Sequence, residues 1–211
     1  AMIGGFNYFE SKFNRATQGG RLVGSGIKPL IYTAALESGM TPATLINDAP
    51  VVFDQTEGAT DWRPQNSGGT FLGPTRLRTA LYRSRNLVSV RLVRELGVNR
   101  IIDIAERFGV DTTKLPRDLS ISLGTASLTP LEMAETYAIF ANGGFRVKNH
   151  LIDRIESADG AVLYQTRPVS VCQSDCDGRS VSVDLDFDNR LRPAKSDFFD
   201  LDYTDRIAPR V

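Results

Sequence analysis

The chain has 211 residues, 41% of them hydrophobic and 24% charged, enough for one well-cored domain or a domain with a small appendage. Lys+Arg and Asp+Glu both number 25, for a formal net charge of zero, so a nucleic acid gains nothing from the chain unless basic residues segregate. Residues 76–94 are basic and residues 175–205 hold nine Asp, a pattern read as charge on solvated faces rather than as a binding patch.

No run approaches the roughly 20 apolar residues of a membrane span, and Ala-Met-Ile-Gly-Gly is not the start of a signal peptide. Any anchor is therefore expected outside this sequence. Residues 3–18, opening on Gly4-Gly5-Phe6, are expected to end a strand and run into a polar loop. From Gly24 to about Gly144 the pattern is mainly helical. Ile27, Leu30, Ile31, Ala34 and Ala35 share one face of a helix that Gly39 would stop. Thr41-Pro42 predicts a cap followed by proline at the first helical position. Residues 47–73 lose the helical period and carry Gly58, Pro64, Gly68, Gly69 and Gly73, predicting a long loop of the kind that wraps a site.

Pro74 is expected to open a short helix over 75–82 that stops near Ser84, and a second helix spans 87–96 to Gly97. A third takes Asn99 as cap, Ile101, Ile104, Ala105 and Phe108 as buried face, and Gly109 as stop. Thr129-Pro130-Leu131-Glu132 is a capping box whose helix continues to Asn142-Gly143-Gly144. Beyond it, Leu151, Ile152 and Ile155, then Asp159-Gly160, then Val162-Leu163-Tyr164 predict a β-hairpin.

Residues 166–211 are polar and acidic, a small β appendage or ordered loop. Asp184-Leu-Asp-Phe-Asp188 resembles a calcium loop, but Asn189 stands where the turn glycine belongs and Lys195 where the bidentate Glu belongs. Alternating Val183, Leu185 and Phe187 fit an amphipathic strand better. Cys172 and Cys176 fit a local disulfide and, almost as well, two free thiols. Zinc would need further ligands, and His150 is the one histidine.

The residues that suggest chemistry begin with Ser25-Gly26-Ile27-Lys28, where a glycine-bounded loop turns into a helix. Serine and lysine three apart share a helix face. A serine hydroxyl becomes a nucleophile when a base takes its proton, and a lysine lowered in pKa by burial or nearby positive charge can be that base. The helix start also offers free N–H groups for an oxyanion. With 15 Ser and 5 Lys in the chain, chance supplies roughly 0.4 such pairs, so the spacing alone is weak. Ser84-Arg85-Asn86 lies between two predicted helices, where a hydroxyl and an amide could relay a proton and grip a peptide group, or simply cap the next helix. A Ser-His-Asp hydrolase needs a histidine, and His150 is beside a strand and remote in sequence from any exposed serine, so if a serine does acyl chemistry here, lysine is the available base.

These motifs, in order, resemble the transpeptidase domain of class A penicillin-binding proteins, most closely the 1A type of Gram-negative bacteria. The resemblance is carried by Gly4-Gly5-Phe6, Lys12-Phe13-Asn14-Arg15-Ala16, Gly24-Ser25-Gly26-Ile27-Lys28-Pro29, Trp62-Arg63-Pro64-Gln65-Asn66 and Arg78-Thr79-Ala80-Leu81. It continues through Ser84-Arg85-Asn86, Leu123-Gly124-Thr125, Thr129-Pro130 and Ala141-Asn142-Gly143-Gly144. The S-x-x-K and S-x-N elements belong to the signature of penicillin-recognising enzymes.

The resemblance implies an α+β fold of the penicillin-binding, serine transpeptidase type, a helical lobe packed on an antiparallel sheet of which part is present. Residues 1–165 would be the transpeptidase fragment, with the lobe over 24–145 and the hairpin over 151–165; residues 166–211 would be an acidic insertion. It implies Ser25 as nucleophile on the D-Ala-D-Ala bond of a peptidoglycan stem peptide, Lys28 as its base, Ser84 as proton shuttle and Asn86 as substrate-binding amide. It implies β-lactams as acylating ligands, no metal or cofactor, and a place at the periplasmic face of the inner membrane.

Three departures stand out. No Lys-[Ser/Thr]-Gly occurs, the nearest string being Lys195-Ser196-Asp197; Arg21-Leu22-Val23 stands where relatives have a Gln-Pro pair; and a preceding strand, anchor and glycosyltransferase domain are missing. The expectation is a truncated piece completed by a segment carrying the missing K-T-G strand. The alternatives are a non-catalytic penicillin sensor and a class A β-lactamase-like protein, the latter disfavoured because no Glu-x-x-Leu-Asn string occurs.

Overall fold

The computed structural model describes residues 4–53, 61–146 and 148–166. Cys172, Cys176, the 184–188 stretch, the Val183–Leu185–Phe187 alternation and Lys195 all lie outside the described residues, as does the rest of the 166–211 segment beyond Thr166. The chain divides into two compact units, Ala1–Met133 and Ala134–Val211.

The first unit is built around helix α1 (Lys28–Glu37), entered through a 3-10 turn over Gly24–Ile27. Pro29 in its first turn gives up an N–H that would have had no partner. Leu30, Ile31, Ala34 and Ala35 are buried to 2% exposure or less, the face that the helical period predicts. The helix ends where Gly39 turns to φ +90°, with the Met40 N–H on the Ala35 carbonyl and the Gly39 N–H on that of Leu36, a Schellman closure.

Helix α2 is short (Leu77–Tyr82), α3 runs Asn86–Leu96 and α4 runs Val98–Arg107. Leu87, Val88, Val90, Leu92 and Val93 of α3 are fully buried. That burial on several faces follows from its central place: α1, α4, a strand at 45–48 and a 3-10 turn over Leu119–Leu123 all pack on it. Truncating such a leucine to alanine costs about 2–5 kcal/mol. Ile101, Ile104, Ala105 and Phe108 form the inner face of α4, and Arg100 and Arg107 clasp Glu37 at the far end of α1 at 3.3 and 2.7 Å.

Strands β1 (Arg21–Leu22) and β4 (Ser127–Leu128) pair antiparallel, as do β2 (Leu45–Asp48) and β3 (Gly73–Arg76). Four local expectations fail in this unit, the first at α4, where Gly97 is the cap and Asn99 lies within the helix. Residues 4–9 form no strand; instead the Arg15 N–H reaches back to the Gly4 carbonyl at 2.7 Å. Thr41-Pro42 starts no helix, because the Thr41 N–H bonds the Thr44 hydroxyl and the Thr44 N–H bonds the Thr41 carbonyl, closing a turn, and residues 45–48 find strand partners 25 to 31 positions away. Pro74 likewise lies in β3, opposite Asn47, a place proline accepts in a two-stranded, edge-only ladder, so α2 begins at Leu77 and not at 75. The two strands thus border the expected loop at Asp48 and Gly73.

The capping box is present: the Thr129 N–H bonds the Glu132 carboxylate at 2.7 Å and the Glu132 N–H bonds the Thr129 hydroxyl at 3.2 Å. It starts α5 (Pro130–Ala141), the helix within which the boundary between the units falls.

The second unit holds a hairpin of β5 (Arg154–Glu156) and β6 (Val162–Gln165), closed by a turn in which the Gly160 N–H bonds the Ser157 carbonyl. Every residue of both strands is exposed. Among the described residues, the sheet content is three separate two-stranded antiparallel pairs.

Candidate active site

The end of β1 delivers the chain to Ser25 against a second backbone. Ladder-like bonds continue past the β1–β4 pair, from the Val23 N–H to the Ala126 carbonyl and from the Gly24 N–H to the Gly124 carbonyl, both 2.9 Å. Gly124 sits at φ +70°, and a Cβ there would stand 1.9 Å from the Gly24 carbonyl oxygen. No side chain fits, so the Leu123-Gly124-Thr125 string fixes the approach to Ser25 by backbone contact.

Ser25 itself is exposed, in the 3-10 turn before α1, while Lys28 at the first position of α1 is 1% exposed. Across from them, α2 ends in the same Schellman bonds as α1: Arg85 N–H to Ala80 carbonyl and Ser84 N–H to Leu81 carbonyl, both 2.9 Å. Here the left-handed position holds Ser84, at φ +52° the one non-glycine residue with positive φ among the described residues. A side chain in that conformation costs about 1–2 kcal/mol, and such strain concentrates at functional sites.

That conformation turns both the Ser84 hydroxyl and its carbonyl onto the site. Lys28 Nζ donates to the Ser84 carbonyl at 2.7 Å, to Asn86 Oδ1 at 2.7 Å and to Ser84 Oγ at 2.9 Å. Ser84 Oγ in turn lies 2.9 Å from Ser25 Oγ. The four residues nominated by sequence thus form one hydrogen-bonded chain. Its order differs from the direct Ser25–Lys28 contact that the spacing predicts. Two carbonyl-type acceptors hold the Lys28 nitrogen on the Ser84–Asn86 side, and the Ser84 hydroxyl stands between Lys28 and Ser25.

Two of the three Lys28 contacts are to atoms that only accept. Asn86 is fixed in that sense because its Nδ2 donates to the Gln65 carbonyl at 2.9 Å. Ser84 Oγ alone can either accept or donate. A neutral Lys28 amine, with two N–H bonds on the carbonyl oxygens, has its lone pair left for the Ser84 hydroxyl. Burial, and after it the Arg85 guanidinium, lowers the Lys28 pKa from 10.5 to about 8, so the neutral form is accessible near physiological pH.

Sequence reasoning assigned no role to the layer behind this chain. Asp48, fully buried at the end of β2, accepts from Arg85 Nε at 2.7 Å, from Asn66 Nδ2 at 2.7 Å and from the Leu72 N–H at 3.0 Å. Arg85 also donates to the Thr70 carbonyl, and the Leu87 N–H bonds Asn66 Oδ1 at 3.2 Å. The Trp62–Asn66 and Ser84–Asn86 strings carried the signal for Gln65, Asn66 and Arg85; nothing local distinguished Asp48. His150 lies 3.8 Å from the Asp153 carboxylate.

A profile for the penicillin binding protein transpeptidase domain matches residues 2–175. Penicillin-binding protein 1A of Pseudomonas aeruginosa is 50% identical over 171 residues, 81% of this chain and 21% of that protein. The crystal structure of penicillin-binding protein 1A from Haemophilus influenzae superposes with a TM-score of 0.75 at 42% identity, covering 79% of this chain and 25% of the other. The penicillin G acyl-enzyme complex of penicillin-binding protein A from M. tuberculosis does so with a TM-score of 0.65 at 26% identity, over 77% of this chain and 42% of that one. The chain spans about a fifth of the length of the curated relatives it matches. Its α+β fold is that of these transpeptidase domains, with part of the sheet present, and the chain belongs to the penicillin-binding protein transpeptidase family.

Proposed function

We propose that this chain carries the serine acyl-transfer site of a D,D-transpeptidase that cross-links peptidoglycan stem peptides and is a target of β-lactams. The observation that carries the reading is the chain Ser25 Oγ–Ser84 Oγ–Lys28 Nζ, with both links at 2.9 Å, ending on a buried lysine whose pKa falls to about 8.

Ser25 Oγ attacks the carbonyl of the D-Ala-D-Ala bond. Its proton passes to Ser84 Oγ while the Ser84 proton passes to Lys28 Nζ. As the C–N bond breaks, the proton returns through Ser84 to the departing D-Ala amine. The Ser25 ester that remains is attacked by an amine of a second stem peptide, whose proton takes the same route and regenerates the Ser25 hydroxyl. Asn86 holds the donor's amide, its own carboxamide oriented between Lys28 and the Gln65 carbonyl. The Ser25 N–H, in the first turn of the 3-10 segment, is one oxyanion donor. A β-lactam enters the first half of this sequence and stays on Ser25.

The second donor would come from a strand bearing Lys-[Ser/Thr]-Gly, a string absent from the 211 residues. One such donor is worth about 3–4 kcal/mol of transition-state stabilisation. A complementing C-terminal segment is therefore part of the proposal, as is a position at the periplasmic face of the inner membrane through an anchor elsewhere in the protein. The sensor and β-lactamase readings have no observation in their favour.

Intact mass with and without benzylpenicillin, beside Ser25→Ala, tests the reading. One added penicillin, lost in the variant, is expected. No adduct on the chain joined to a K-T-G-bearing segment would overturn it.

A further inference from the structure

We propose that the buried Asp48–Arg85 ion pair is a positioning device that holds Ser84 and Asn86 in place around Lys28. The proposal rests on the acyl-transfer reading of the site.

Arg85 sits between the two residues it would position, and its side chain points away from Lys28's hydrogen bonds into a nest of its own. Nε meets Asp48 Oδ2 at 2.7 Å and the guanidinium also holds the Thr70 carbonyl. The side chains are 10% and 0% exposed. The second Asp48 oxygen takes Asn66 Nδ2, and Asn66 takes the Leu87 N–H at the first turn of α3. The pair thus ties four pieces of chain to one point: the end of β2, the 65–72 loop, the left-handed turn closing α2 and the start of α3. The loop's Gln65 carbonyl then orients Asn86. A buried ion pair is weak evidence for stability, since well-packed apolar residues often do as well. What apolar residues cannot do is fix a left-handed serine by a forked, directional bond on its neighbour.

The pair also sets charge. Lys28 meets α2's closing turn and the first turn of α3, and Arg85 is the charged group that acts on it there. The arginines of α4 that reach α1 are held at its far end by Glu37, and the 119–123 turn that packs on α1 holds no ionisable side chain. Removing the Arg85 cation favours the Lys28 ammonium; removing Asp48 leaves that cation uncompensated and favours the neutral amine. The two halves of one ion pair should move the acid limb of acylation in opposite directions.

The test measures benzylpenicillin acylation rate against pH for wild type, Arg85→Gln, Arg85→Lys and Asp48→Asn, with circular dichroism and melting as the check on folding. It uses whichever form of the chain, alone or joined to the complementing segment, forms the wild-type adduct. Arg85→Gln is expected to slow acylation about 100-fold, the scale of a 1 Å misplacement, and to move the acid limb to higher pH. Asp48→Asn moves it to lower pH. Arg85→Lys keeps the charge but loses the fork, so its limb stays while its rate falls about tenfold; it carries the test if Arg85→Gln does not fold. Folded variants at the wild-type rate, or all slowed with no limb displaced, would overturn the proposal. A wild-type chain that never acylates would instead overturn the reading of the site itself.

Discussion

At the end of α1 the Met40 N–H bonds the Ala35 carbonyl and Gly39 takes φ +90°; at the end of α2 the Arg85 N–H bonds the Ala80 carbonyl and Ser84 takes φ +52°. The hydrogen-bond pattern is the same and the residue at the left-handed position is not. Around Gly39 an added Cβ would meet nothing within 4 Å, so glycine is there for its backbone alone. Ser84 accepts about 1–2 kcal/mol of conformational strain and places a hydroxyl between Ser25 and Lys28. One helix end serves the fold, and on the proposed reading its counterpart serves the chemistry.

The sharpest way to break that comparison is to remove the hydroxyl while leaving the turn. Ser84→Ala should lower the acylation rate about 10²–10⁴-fold, the usual worth of a positioned proton-transfer group. Ser84→Gly should lose as much activity yet gain about 1 kcal/mol of stability, because glycine takes positive φ without strain. Acylation rates and denaturant unfolding of both variants check this. A Ser84→Gly chain that is faster or less stable than Ser84→Ala would mean that the turn and not the hydroxyl is what matters.

Next in size is the pH dependence at the lysine to which Ser84 is joined. On the proposed reading the active form is the neutral amine, and burial with Arg85 places its pKa at about 8. Below that value each unit of pH should raise the acylation rate about tenfold, in step with the neutral fraction, with a plateau above it. Rates from pH 6 to 9.5 decide the point. A rate that stays flat across that range, with no limb near 8, would say that Ser84 relays to a base other than Lys28.

Much of the site could be nominated from sequence because its four residues come in two short strings, Ser25-x-x-Lys28 and Ser84-x-Asn86, each local and each at a helix boundary. The helices were legible for the same reason: Leu30, Ile31, Ala34 and Ala35, or Ile101, Ile104 and Ala105, follow the helical period and are buried accordingly. What was not legible depends on partners distant in the chain. Asp48 meets Arg85 across 37 positions, and neither residue shows a local pattern that names the other. Thr41-Pro42 and Pro74 obey helix-start grammar, yet β2 and β3 pair with each other, and pairing outweighs a cap whose worth is about 1 kcal/mol. Ser84 itself was placed at a junction by its sequence; its left-handed conformation, which makes it a link and not a cap, follows only from the closure of α2.

The smallest effect belongs to the helix end that carries no chemistry. Gly39→Ala meets no steric obstacle, so its cost is the left-handed backbone alone, about 1 kcal/mol of stability. Acylation should stay at the wild-type rate, because the Lys28 end of α1 is held by Ser84, Asn86 and the 3-10 turn, not by the closure at Gly39. Melting and acylation measured on the same preparation separate the two quantities. If Gly39→Ala slowed acylation as well, strain would be passing along α1 to Lys28. The division of labour between the two helix ends would then be false, since a closure eleven residues away would be helping to set the position of Lys28.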